Sequence, residues 1–136
     1  MTATTRTERL AIRSSEDVVK VRQQTRAFAV AAGLSLVDQT KIITAASELA
    51  RNVVDYAGEG EVCMEVIEDA GRRAVRLTFE DRGPGIPDIE AALKDGFTTG
   101  SGLGLGLDGA RRLANEFSYE SKGGIGTKVT LVRWKL

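Results

Sequence analysis

Histidine is absent from the 136 residues, cysteine occurs once, and 19 basic residues are cancelled by 19 acidic ones. Without histidine the chain lacks the commonest general base and transition-metal ligand, and it has no site for phosphohistidine chemistry of its own. The lone Cys63 excludes an internal disulfide and most sulfur-ligated metal sites, and reads as a small buried hydrophobe. Zero net charge provides no global field for nucleic acid or an anionic membrane surface, so neither is expected as a partner. No apolar run approaches a membrane span, and residues 1–7 lack the apolar segment of a secretory signal. These absences point to a cytoplasmic protein whose residues 1–7 form a mobile tail.

Apolar residues at 42% and charged residues at 28% are ordinary for a soluble globular chain, and the length suits one domain over 1–136. Alternation in Arg9-Leu10-Ala11-Ile12-Arg13 reads as an opening strand. Ser14 to Asp17 then starts a helix that buries Val18, Val21, Phe28 and Ala32 and ends at Gly33. Ser35 and Asp38 have capping-box spacing before a long helix with Ile42, Ala46, Leu49, Val53 and Ala57 on its apolar stripe. That stripe puts Glu48 and Asn52 at its edge. Glu61–Glu68 and Arg73–Asp81 alternate across a short turn and read as a hairpin covered on one face. Beyond it the pattern predicts a short helix over 87–93, a mobile lid over 94–102, a helix over Leu107–Phe117, and two strands flanking Gly123–Gly126. Trp134 falls within the last alternation and is expected to pack against the sheet.

Three segments carry chemistry. Glu48 and Asn52 are one helical turn apart, so the carboxylate can orient or deprotonate a hydroxyl while the carboxamide offers a neutral oxygen to Mg²⁺. Taken alone, Glu48 with Arg51 at i, i+3 equally describes an exposed ion pair. Asp81 at a strand end, before Gly83 and Gly85, can accept a hydrogen bond from an exocyclic amine such as that of adenine, although Asp-x-Gly-x-Gly also describes a plain turn. Gly100, Gly102, Gly104 and Gly106 alternate just before a helix, where backbone amides and the helix dipole can face phosphate. This is not a Walker A loop, because no Gly-Lys-Ser/Thr follows.

These boxes, in this order, resemble the GHKL ATPase superfamily and, within it, the RsbT-type serine kinases of bacterial partner-switching systems. The likeness is carried by Ser47-Glu48-Leu49-Ala50-Arg51-Asn52, Tyr56-Ala57-Gly58, the run from Glu80 to Asp88, and Asp95-Gly96-Phe97. It implies the Bergerat fold, an α/β sandwich whose mixed, largely antiparallel sheet is covered on one face by helices. By motif, Glu48 matches the catalytic base, Asn52 the Mg²⁺ ligand and Asp81 the adenine-reading aspartate, with Gly83 and Gly85 shaping that pocket. Gly102, Leu103, Gly104 and Gly106 match the phosphate-facing lid, and Thr127 supports the adenine contact. Asp55 is given no catalytic role.

The resemblance implies ATP and Mg²⁺ as cofactors. It implies phosphorylation of a serine or threonine on a STAS-domain antagonist, and activation of a serine phosphatase by the released kinase. The absence of histidine, of a preceding helical hairpin and of a second domain separates this chain from self-contained histidine kinases and from gyrase-like ATPases. An anti-sigma factor, which holds a sigma subunit and phosphorylates its antagonist, shares every catalytic box and stays open as the alternative.

Overall fold

The computed structural model describes residues 2–82, 109–122 and 126–135. Strand β1 (Ala3–Ile12) leads to helices α1 (Ser15–Ala31) and α2 (Leu36–Asn52). One π-helical turn over Val53–Ala57 follows, then the hairpin β2 (Gly60–Asp69) and β3 (Arg72–Asp81), and last β4 (Glu116–Lys122) and β5 (Gly126–Trp134). The sheet order is β1-β2-β3-β5-β4, and every described pairing is antiparallel.

The helix boundaries follow local chemistry. Ser35 Oγ accepts the Asp38 backbone N–H at 3.2 Å, as the capping spacing predicts. Gly33 closes α1 at φ +79°, and the Leu34 N–H reaches back to the Ala29 carbonyl at 3.0 Å. Ala70 and Gly71, both at positive φ, form the two-residue turn between β2 and β3.

Side-chain alternation sorts the sheet into two faces. Val62, Met64, Val75, Leu77, Phe79 and Leu131 face the helices, where they meet Val18, Val21 and Phe28 of α1 and Ile42, Ala46 and Leu49 of α2. All four apolar positions expected on α1 are buried. On the other face Glu65 and Arg76 stand directly opposite each other and pair through two hydrogen bonds of 2.8 and 2.9 Å. Trp134 packs there against Ile67, Ala74 and Val132, with the Arg72 guanidinium 5.0 Å from its ring centroid.

Three expectations need correction. Residues 3–7 are not a tail: β1 pairs from Ala3 opposite Glu68 to Ile12 opposite Gly60, with a bulge between Thr4 and Arg6. Their polar, threonine-rich pattern hides a strand that is held by backbone pairing at a sheet edge and not by burial. The helix expected to reach Phe117 is helical over 109–113 within the described residues, and Phe117 instead lies in β4 opposite Leu131. Spacings of three and four from Ala110 to Phe117 fit a helix, but Phe117 and Tyr119 also alternate, and pairing with β5 decides the matter. Cys63 is half-buried on the open face, beside the Thr7 hydroxyl, and not in the core. The helix over 87–93 and the lid over 94–102 lie outside the described residues.

Candidate active site

Helix α2 presents Glu48 and Asn52 on one side, about 6 Å apart along its axis. Glu48 is 41% exposed and sits 3.5 Å from Arg51, so the simple surface ion pair does form. Such a pair contributes about 0–1 kcal/mol and yields readily to a substrate. Asn52 is half-buried, and its Nδ2 is fully enclosed with no hydrogen-bond partner among the described residues.

The turn after Asn52 widens into a π-helix, closed by the Gly58 N–H on the Val53 carbonyl at 3.0 Å. Single π turns inside α-helices often mark functional sites. Tyr56 lies within this one, and its hydroxyl is likewise buried without a partner among the described residues. Two orphaned buried polar atoms one turn apart cost about 1–3 kcal/mol each if nothing meets them. They fit a site whose ligand brings oxygen and nitrogen atoms of its own. Sequence reading placed Asn52 here but missed Tyr56, whose signal was its position four residues on.

Asp81 ends β3 between two glycines. Gly60 of β2 pairs with it on one side, while Thr127 of β5 pairs with it on the other, directly after Gly126. A Cβ on Gly60 would run into the Glu80 carbonyl oxygen and come within 2.8 Å of Val53 Cγ1; one on Gly126, at φ +141°, would run into the Asp81 carbonyl oxygen. Both glycines are therefore required for the strands to close on Asp81. By strand alternation Asp81 and Thr127 share the helix-covered face with Phe79 and Val129. Val53, the neighbour of Asn52, packs over Gly60, which brings the end of α2 above the end of β3.

Asp81 and Thr127 thus lie at the end of the sheet that Val53 covers, with Asn52 next to Val53 and Glu48 one turn further back on α2. A groove of about 390 Å³ opens at the same end and takes in Gly60, Asp81, Arg82, Arg9 and Arg13, but neither Glu48 nor Asn52. Gly83, Gly85, Gly102, Leu103, Gly104 and Gly106 lie outside the described residues. Among the described residues no three His, Cys, Asp or Glu side chains converge as a metal cluster. Mg²⁺ does not need one, since a single carboxamide oxygen suffices when phosphates and water complete the shell. Asn52 has the chemistry for that part, because a rotated amide exchanges Oδ1 for Nδ2.

Among the described residues, a five-stranded antiparallel sheet lies under α1 and α2, and the end of α2 lies above the end of β3, where Asp81 stands. The chain belongs to the histidine kinase-, DNA gyrase B- and HSP90-like ATPase family, which it matches over residues 37–136. It is 47% identical over 118 residues to the serine/threonine-protein kinase RsbT of Bacillus subtilis, covering 87% of this chain and 89% of that one. An anti-sigma F factor of Bacillus licheniformis is 33% identical over 102 residues, covering 69% and 68%. Among solved structures, the catalytic domain of histidine kinase ThkA superposes with TM-score 0.56 at 20% identity, covering 94% of this chain and 96% of that one. The RsbU and RsbW domains of a Mycobacterium tuberculosis protein superpose with TM-score 0.62 at 24% identity, over 93% of this chain and 32% of that one. The family, the fold and the RsbT-like character expected from the motifs are borne out.

Proposed function

We propose that this chain is an RsbT-type protein serine/threonine kinase that transfers the γ-phosphate of ATP to a STAS-domain antagonist in a partner-switching pathway. The reading is supported above all by 47% identity to RsbT over 87% of this chain. It extends to a single domain over 1–136, a cytoplasmic setting and, once the kinase is released from its antagonist, activation of a serine phosphatase. No described helix is long and apolar enough to cross a membrane, which is compatible with that setting.

Each residue then has a distinct task. Asp81 accepts the exocyclic amine of adenine, with Thr127 beside it on the neighbouring strand. Asn52 supplies an oxygen to Mg²⁺, and bound Mg²⁺ offsets the charge of the phosphates. Glu48 aligns the attacking seryl or threonyl hydroxyl and takes its proton. Amides of the Gly102–Gly106 segment oppose charge developing on the transferred group. Positioning and charge neutralisation, more than covalent chemistry, lower the barrier.

The deciding experiment is Mg²⁺-ATP phosphotransfer to a STAS-domain protein encoded beside this one, with Asp81→Asn and Glu48→Ala as controls. Phosphoserine or phosphothreonine that disappears in both variants supports the kinase; tight ATP binding with no transfer overturns it. The 33% identity to anti-sigma F factors supports a second reading, capture of a sigma subunit, which co-purification with that subunit would establish.

A further inference from the structure

Arg133 of β5 and Asp38 of α2 form a part-buried ion pair between sheet and helix, with Arg133 Nη2 donating to Asp38 Oδ1 at 2.8 Å. Their side chains are 10% and 16% exposed. The same guanidinium donates through Nη1 to the Leu113 carbonyl at 3.1 Å, which caps the last turn of the helical segment 109–113. The chain beyond is clamped as well. The Asn115 N–H meets the Val132 carbonyl at 2.8 Å, and Asn115 Oδ1 accepts the Trp134 N–H at 2.7 Å.

This junction is remote from the candidate site. Thr127, opposite Asp81, is six residues from Arg133 along β5, or about 20 Å at strand rise. Asp38 and Asn52 are fourteen residues apart on α2, or about 21 Å at helical rise. Helix and strand therefore run the same span, joined at one end by the ion pair and meeting at the other over Gly60 and Asp81. Apolar attraction is non-directional and holds helix and sheet together through shape alone, whereas a part-buried charge pair adds a directional restraint on sliding along the helix axis.

We propose that Arg133, through Asp38, is a positioning residue that sets the axial register of α2 against the sheet and so holds Asn52 and Glu48 in place over Asp81. Two observations support it beyond the pair itself. Arg133 Nε stays buried and without a partner among the described residues, a cost that a merely stabilising apolar residue would avoid. The guanidinium also binds a third element, the segment that follows the Gly102–Gly106 run in sequence, so one side chain references both to the same strand.

Two readouts test this in Asp38→Asn, in Arg133→Lys and in the apolar double variant Asp38→Leu/Arg133→Met, all well below their melting temperatures. The first is the amide ¹⁵N–¹H shift of Asn52 and Asp81. The second, which rests on the kinase reading above, is kcat and the KM for Mg²⁺-ATP. In Asp38→Asn and the double variant we expect both amides to move and kcat/KM to fall about tenfold or more, even where the double variant melts no lower than the wild type. Arg133→Lys, which keeps the charge facing Asp38, should fall between. Amide changes confined to the neighbourhood of residues 38, 113 and 133 would overturn the proposal. If the wild type neither binds ATP nor transfers phosphate, the kinase reading fails, and the amide shifts alone still decide the register. If the double variant does not fold, the isosteric Asp38→Asn decides.

Discussion

Asn52 Nδ2 and the Tyr56 hydroxyl lie four residues apart across a π-helical turn, both buried and both without a hydrogen-bond partner among the described residues. A polar atom kept dry and unpaired costs about 1–3 kcal/mol, so removing it relieves the empty protein while weakening whatever complex uses it. Tyr56→Phe is expected to leave thermal stability unchanged or slightly raised and to weaken Mg²⁺-ATP binding about threefold to tenfold. Calorimetric titration together with a melting curve checks both halves; a stability loss with unchanged affinity would make the hydroxyl structural.

Glu48→Gln preserves shape and hydrogen bonding but cannot take a proton. The expected result is a fall in kcat of about 10²- to 10⁴-fold, the usual worth of a general base, with the affinity for ATP nearly unchanged. Single-turnover phosphotransfer measures the first and equilibrium titration the second.

Gly126 faces the Asp81 carbonyl too closely for a Cβ and holds a φ of +141°. Gly126→Ala should destabilise the fold by about 1–3 kcal/mol through overpacking and backbone strain. It should also cost nucleotide affinity, because the strain is released at Asp81. Gly58→Ala is the matched control, since its φ of +82° is strained but its Cβ would meet nothing. Urea melts and ATP titrations of the two variants separate backbone strain from the effect on Asp81.

The hydrogen bond from Arg133 holds the Asp38 carboxyl below its ordinary 3.8, and that from Arg76 holds Glu65 below its ordinary 4.5. Both folded-state values are depressed, so each group contributes stability above its unfolded pKa and loses it as pH falls through the folded one. The protein is therefore expected to lose stability progressively from about pH 4.5 downward. Asp38→Asn with Glu65→Gln should flatten that acid limb while lowering stability near neutrality, as denaturant melts from pH 3 to 7 would record.

Much of this was legible in the residues because it depends on neighbours in the chain. The Ser35–Asp38 cap, the turn at Gly33 and the hairpin across Ala70–Gly71 are local events with local signatures. The one-turn spacing of Glu48 and Asn52 is likewise a property of any helix. The first half of β1 was hidden because Ala3–Thr7 owes its conformation to pairing with Glu65–Glu68, far along the chain. Phe117 was misread for a related reason, since its spacing satisfies both a helix and a strand and only β5 selects between them.

The order of the boxes alone determined the family and the chemistry sought, because carboxylate, carboxamide and glycine spacings are written linearly. Tertiary structure alone decided that Asp81 lies between two glycines from different strands, that Asn52 Nδ2 and the Tyr56 hydroxyl are buried without a partner among the described residues, and that Arg133 joins β5 to the far end of α2. Burial, orphaned polar atoms and a long-range ion pair depend on which surfaces come together on folding, and no spacing along the chain records them.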